Sequence, residues 1–236
     1  MPRPSRLILP GVAAHVIQRG NNRLACFKED SDYLMYLAHL RQLAEKYDCR
    51  VHAYCLMTNH VHLLVTPEAE GSCTLLMRDL GQRYVQYFNR RHARTGTLWE
   101  GRFRSCMAES ARYVLGCYRY IELNPVRAGM VQHPSSYLWS SYAVNSGMRT
   151  DPLLSPHAEF TALGLDAATC QAAYRALFDQ PLDSSLLRTI REATQGDYPL
   201  GSEAFKASLL AATGRRTERQ KAGRKAKSPQ AVYALE

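Results

Sequence analysis

Two histidines one residue apart, His60 and His62 in Asn59-His60-Val61-His62-Leu63-Leu64-Val65, are the first candidates for chemistry. On a strand, successive side chains alternate, so both imidazoles project from one face with Cα atoms about 6.6 Å apart. Two neutral imidazoles held this way can ligate one cation. The triplet alone says little: in a chain with eight His among 236 residues it arises by chance roughly one time in four. Its bland counterpart is a pair of half-exposed strand histidines. A second candidate lies in Tyr118-Arg119-Tyr120-Ile121-Glu122-Leu123-Asn124-Pro125-Val126-Arg127. On a helix Tyr120 and Asn124 share a face, about 6 Å apart along the axis. A phenol can attack phosphorus as a covalent nucleophile, and such a step needs a cation to stabilise the developing charge. An amide oxygen one turn away is a natural third ligand beside two histidines. Tyr118 points nearly opposite; Tyr113, two turns before Tyr120 on a similar face, competes with it. The chain has 14 tyrosines, and most must be packing residues.

Elements to position these groups are legible in the periodicity. Val12 to Arg19 reads as a strand ended by the turn residues Gly20-Asn21-Asn22. Apolar positions Tyr33, Leu34, Leu37, Leu40, Leu43 and Ala44 recur at helical spacing within Ser31 to Tyr47. Strands are expected at Arg50 to Met57 and His60 to Val65, joined by a tight Thr58-Asn59 turn, with Val61, Leu63 and Val65 facing the core. A helix from Thr74 to Arg91, a strand from Arg102 to Ala108 and a helix from Ala111 to Leu123 follow. Asn124 precedes Pro125, which biases that helix to stop. The order β-α-β-β-α-β-α predicts an α+β fold, a ferredoxin-like split β-α-β core with an added tyrosine-bearing helix. Beyond Asp151 the pattern turns helical, with Asp166, Asp183 and Ser202 placed as N-caps. Three regions are expected: residues 1–150 as a catalytic domain, 151–214 as a helical C-terminal extension, and 215–236 as a basic tail.

Composition narrows the partner. Hydrophobic residues make up 46% and charged residues 22% of the chain, enough apolar content for a packed core. The net charge is +9, and it is concentrated. Arg215 to Lys227 holds seven Lys or Arg against Glu218 alone; Arg78 to Arg104 holds seven Arg against Asp79 and Glu100. Clustered basicity reads as a phosphate-binding footprint. In the middle segment Arg78, Arg83, Arg90 and Arg91 interleave with Tyr84, Tyr87 and Phe88, and Trp99, Arg102, Phe103 and Arg104 follow. Arginines can track a nucleic-acid backbone while aromatics stack unpaired bases. Tyr84 and Phe88 fit better as core; Trp99, in a Gly-flanked loop, is the better stacking candidate. Arg215 and Arg216 open the basic tail, which should give salt-sensitive affinity. The seven cysteines are odd in number, irregularly spaced and without Cys-x-x-Cys, so zinc-knuckle and thioredoxin-type sites are not supported. Free, mostly buried thiols are expected. No apolar run approaches a membrane span, and a cytoplasmic location is expected.

Four segments in order, spanning roughly residues 6 to 145, carry a family likeness: His15-Val16-Ile17-Gln18-Arg19-Gly20-Asn21-Asn22, Met57-Thr58-Asn59-His60-Val61-His62-Leu63-Leu64, Gly96-Thr97-Leu98-Trp99-Glu100-Gly101-Arg102-Phe103, and Tyr120-Ile121-Glu122-Leu123-Asn124-Pro125-Val126-Arg127-Ala128-Gly129. Together they resemble the REP-associated tyrosine transposases, relatives of the single-tyrosine HUH transposases. The resemblance implies that His60 and His62 are the HUH histidines, Tyr120 the nucleophile and Asn124 the residue completing the metal site. It implies Mg²⁺ or Mn²⁺ as cofactor, although two imidazoles favour Mn²⁺ or a softer ion on chemical grounds. It implies attack that leaves a 5′-phosphotyrosine and a free 3′-OH, on single-stranded or hairpin DNA such as palindromic repeats. Monomer and homodimer both stay open. A catalytically idle nucleic-acid-binding protein or repressor on the same fold is the competing reading, against which the intact His60, His62, Tyr120 and Asn124 argue. A metallohydrolase of the His-Glu-x-x-His kind lacks its ligands. The extension also resembles that of longer family members through Tyr198-Pro199-Leu200-Gly201-Ser202-Glu203-Ala204-Phe205 and Thr213-Gly214-Arg215-Arg216, and a helix-turn-helix-like DNA reader is one suggestion for it.

Overall fold

The computed structural model describes residues 6–218. The rest of the basic tail, 219–236, lies outside the described residues. Four strands, β1 (Ala13–Arg19), β2 (Cys49–Met57), β3 (His60–Pro67) and β4 (Arg104–Ala108), form one antiparallel sheet in the order β2-β3-β1-β4. Helix α1 (Asp30–Lys46) connects β1 to β2, and α2 (Ser72–Arg91) connects β3 to β4. Helix α3 (Ala111–Glu122) follows. This is the α+β arrangement expected from the pattern, with β2 and β3 joined through Thr58-Asn59. Boundaries move by a residue or two; β4, expected from Arg102, begins at Arg104 because Arg102 and Phe103 stay outside the ladder.

The sheet is covered on both faces by different groups. On one, Val61, Leu63 and Val65 of β3 pack with Val16 and Leu56 against Tyr36, Leu40, Leu43, Tyr84 and Phe88 of α1 and α2. Full burial of such side chains is worth roughly 1.5–3 kcal/mol each, so this face holds much of the core. On the other, Leu64, Ala53, Cys55 and Cys106 meet Cys117 and Ile121 of α3 together with Leu186 and Ile190 of a later helix. All seven cysteines are buried.

After α3 the chain makes a short helical turn, α4 (Asn124–Arg127), with Pro125 in its first turn. A proline there lacks an N–H that would be unpaired in any case, so it opens a new helix while ending the old one. Short helices α5 (Tyr142–Asn145) and α6 (Ala158–Thr161) precede α7 (Ala167–Ala176), α8 (Ser184–Gly196) and α9 (Glu203–Thr213). The three expected N-caps are present: the side chains of Asp166, Asp183 and Ser202 accept from Thr169 N, Ser185 and Leu186 N, and Phe205 N. The extension packs directly on the sheet. Helix α8 lies against β4, α3 and β1, and Leu200 exchanges backbone hydrogen bonds with the end of β4 at 2.6 and 2.9 Å. No helix among the described residues is long and apolar enough to cross a membrane.

One expectation fails here. Trp99 is not an exposed loop aromatic but is 7% exposed, its ring 6.0 Å from Tyr84 and 6.5 Å from Tyr36. Its loop bridges back to Gly20, which folds the indole beneath α2 and removes the face on which a base would stack.

Candidate active site

The sheet register decides which side chains meet. Antiparallel pairing sets Ile17 opposite His62 and Arg19 opposite His60 on β1 and β3, and Ile17 opposite Arg104 on β4. His15, Ile17 and Arg19 therefore share the face of His60 and His62 by simple alternation. Helix α3 crosses that face and sets Tyr120 against the histidines, its ring 5.7 Å from His62 and 5.4 Å from His15, edge-on to both. The rings of His60 and His62 are 4.9 Å apart. Tyr120 is mostly buried, and no hydrogen bond to its hydroxyl occurs among the described residues. The amide nitrogen of Asn124 donates to the carbonyls of Tyr120 (3.0 Å) and Ile121 (3.2 Å). That bonding occupies the amide donor and leaves the side-chain oxygen to accept or ligate.

These groups line one pocket of about 1040 Å³. His60, His62, Tyr120 and Asn124, the four residues singled out from sequence, are all in its wall. Tyr118 is elsewhere: fully buried against Phe160 and Tyr174, its hydroxyl accepting from His157 N at 3.3 Å. Tyr113 packs at the edge of the second core and does not reach the pocket.

The rim is basic. Arg6, Arg19, Arg102, Arg104, Arg191, Arg215 and Arg216 line the pocket, with Glu100 and Asp197 the acids among its walls. Arg6 is held by the Phe103 carbonyl and lies 3.8 Å from Asp197, and Arg104 donates to the Gln195 carbonyl. Arg19, Arg191 and Arg216 have no carboxylate partner among the described residues, as cations that await an anion would. The arginines of α2 take no part. Arg78, Arg83, Arg90 and Arg91 are exposed on the opposite side of the sheet, Arg78 bonded to Asp79 and Arg91 to Glu29. Helical spacing put them on a solvent face, but it carried no information about which side of the sheet that face would be.

Several wall residues went unrecognised in the sequence. His15 and Arg19 could have been found, since they alternate with Ile17 on a strand that must neighbour His60-x-His62. Arg127, not itself a lining residue, was also legible as part of a motif, but not its position: its guanidinium carbon lies 4.4 Å over the Tyr120 ring. Arg191, Thr194 and Asp197 carried no local signal at all.

Burial determines the protonation of the histidines. Removal from water lowers His60 to about 4, with the Arg19 charge adding to the effect. It lowers His15 to about 3, with Arg127 adding. His62 is lowered well below the usual histidine value by burial first, then by its histidine and arginine neighbours. All three are neutral near pH 7, the form that ligates a metal. The donor set is two imidazoles and one amide oxygen beside a phenol. Among the described residues no three His, Cys, Asp or Glu side chains converge on a common point. This set fits a divalent ion held by few protein ligands, with positions left for substrate oxygens, as catalytic sites require.

Residues 9–124 match the family model described as "Transposase IS200 like". Among solved structures, a REP-associated tyrosine transposase bound to a REP hairpin is similar, with 17% identity and a TM-score of 0.53 over 67% of this chain and 93% of that one. At that identity the likeness establishes the fold. A candidate transposase of Deinococcus radiodurans R1 is more distant, with 18% identity and a TM-score of 0.36 over 47% of this chain and 89% of that one. No curated protein sequence matches.

Proposed function

This chain belongs to the IS200-like transposase family by residues 9–124, and on that premise we propose that it cleaves and rejoins single-stranded or hairpin DNA through a covalent tyrosine intermediate. The observation that carries the reading is Tyr120 edge-on to His62 at 5.7 Å, on the wall of a pocket rimmed by arginines. A nucleophile, a neutral imidazole pair and unpaired cations in one cavity suit a phosphodiester better than any other common substrate.

In this reading the unpaired guanidinium groups of Arg19, Arg191 and Arg216 draw the DNA backbone in and fix its register. His60, His62 and Asn124 would hold a divalent ion, Mn²⁺ suiting two imidazoles better than Mg²⁺, and when bound it would supply charge stabilisation for phosphoryl transfer. The Tyr120 hydroxyl attacks phosphorus, its proton passing to solvent. The bond to the 3′ oxygen breaks, that oxygen takes a proton from solvent to become a free 3′-OH, and the 5′-phosphate is left joined to Tyr120. Attack by a 3′-OH on that linkage reverses the step and joins strands. The extension 151–214 contributes a pocket wall through α8, so we assign it a part in holding DNA. Palindromic-repeat hairpins are the proposed target class, as in the structurally similar hairpin-bound transposase.

The test is a gel assay of a labelled hairpin oligonucleotide with Mn²⁺. Wild type should give cleaved strand, whereas His60→Ala and His62→Ala should cut at least 100-fold more slowly yet bind, because phosphate contacts dominate affinity. Undiminished cutting by both variants would remove the metal pair from the mechanism.

A further inference from the structure

The hydrogen bonds behind His60 and His62 decide which nitrogen each ring offers to the pocket. Thr194 of α8 directs its single hydroxyl proton to the carbonyl of Ile190, one turn back in the same helix, at 2.7 Å. Its oxygen is then left to accept. The ring nitrogen facing that oxygen, His15 Nδ1 at 3.0 Å, must carry the donated proton. His15 is fully buried and no carboxylate bonds it, so it is neutral and holds only that one ring proton. Its Nε2 is therefore a bare acceptor, and its partner at 2.9 Å is His62 Nδ1. His62 in turn carries its proton on Nδ1, which leaves the Nε2 lone pair on the pocket side.

His60 reaches the same state by another route. Asn59 donates its amide nitrogen to the Arg23 carbonyl at 3.0 Å, which turns its side-chain oxygen toward His60 Nδ1 at 2.6 Å. A carbonyl oxygen can only accept, so this nitrogen too is protonated. Two independent chains of bonds converge on one outcome.

We propose that His15, Thr194 and Asn59 are positioning residues that hold His60 and His62 in the Nδ1–H tautomer, presenting two Nε2 lone pairs for one divalent cation. The inference rests on the metal-pair reading above and adds the residues that set it. It also gives the C-terminal extension a role at the metal site, because Thr194 lies 179 residues from His15 and arrives with α8. If the Thr194 proton pointed to His15 instead, every bond in that chain would reverse. His62 would then present an N–H to the pocket and could not bind a cation.

Long-range ¹H–¹⁵N correlation spectra of the metal-free, full-length, histidine-labelled protein at neutral pH read the tautomers directly. Both His60 and His62 should carry their proton on Nδ1. Thr194→Val, similar in shape but without the acceptor, should mix the His62 tautomers and weaken Mn²⁺ binding by roughly 10–100-fold, the usual effect of losing an outer-shell partner. Thr194→Ser should restore both. An Nε2–H tautomer at His62 in the wild type overturns the proposal, as does a folded Thr194→Val protein with unchanged tautomers and Mn²⁺ affinity. Should that variant fail to fold, the wild-type spectrum alone decides. A wild type with the expected tautomers that binds no Mn²⁺ would overturn the metal-pair reading and leave the hydrogen-bond assignment standing.

Discussion

The guanidinium of Arg127 lies over the ring of Tyr120, 4.4 Å from its centroid, and donates at 2.7 Å to the carbonyl of the same residue. One side chain thus clamps both the ring and the backbone of the proposed nucleophile. The clamp depends on the helix break at Pro125: α3 ends, α4 begins, and Arg127 is brought back over a residue seven positions earlier. A cation over an aromatic face contributes about 0.5–2 kcal/mol, more as water is excluded.

Tyr120→Phe should abolish covalent chemistry while leaving fold and metal affinity intact. The ring, its stacking under Arg127 and its contacts with His15 and His62 all persist; only the hydroxyl is lost. Wild type incubated with a hairpin and Mn²⁺ should form a denaturation-resistant adduct that peptide mapping places on Tyr120. An adduct mapped to Tyr113 or Tyr118, or one still formed by the variant, would overturn the assignment.

Arg127→Lys keeps the charge but loses the planar stack and the fixed donor geometry. Adduct formation under single-turnover conditions should slow about tenfold, equivalent to about 1.4 kcal/mol of barrier, with DNA affinity nearly unchanged. An unaltered rate would show that Tyr120 is oriented without the clamp.

Arg191→Ala or Arg216→Ala should weaken hairpin binding and make the plot of log affinity against log salt shallower by about 0.7 per lost contact. Arg83→Ala and Arg90→Ala, on the far side of the sheet, should change neither quantity. Equal losses from both pairs, in titrations at several salt concentrations, would move the DNA path away from the pocket.

Glu122 provides a pH test of the fold beneath the site. Burial raises its carboxyl from the ordinary 4.5 to about 7, only partly offset by hydrogen bonds from Ser141, Tyr174 and Asn145. The folded state therefore binds the proton more tightly than the unfolded chain. The stabilisation it gives is full below about pH 4.5 and is lost as pH rises through 7. Glu122→Gln lacks this dependence. Measured by urea denaturation, the variant should gain on wild type by up to about 3 kcal/mol between pH 5 and pH 8. A stability difference that is the same at both pH values would contradict the raised carboxyl.

Local periodicity made most of the core fold readable, because the causes are local. Alternation of Val61, Leu63 and Val65 with His60 and His62 fixed two faces for β3, and helical spacing set Asn124 one turn beyond Tyr120 whatever lay around them. The N-caps at Asp166, Asp183 and Ser202 were equally legible, since a capping side chain bonds backbone two or three residues away. What spacing could not supply was the side of the sheet on which a face would lie. The arginines of α2 and of the pocket rim look alike in sequence, yet the β-α-β crossover puts α2 behind the sheet and α8 in front. Trp99 is buried for a reason equally hidden from spacing: flanking glycines mark a loop, but only the bridge between that loop and Gly20 turns the loop inward. Thr194, His15 and His62 form one chain of hydrogen bonds from three distant segments. That chain exists only after α8 docks on β1 and β4, because a hydrogen bond acts over about 3 Å and the unfolded chain seldom brings residues 179 positions apart that close.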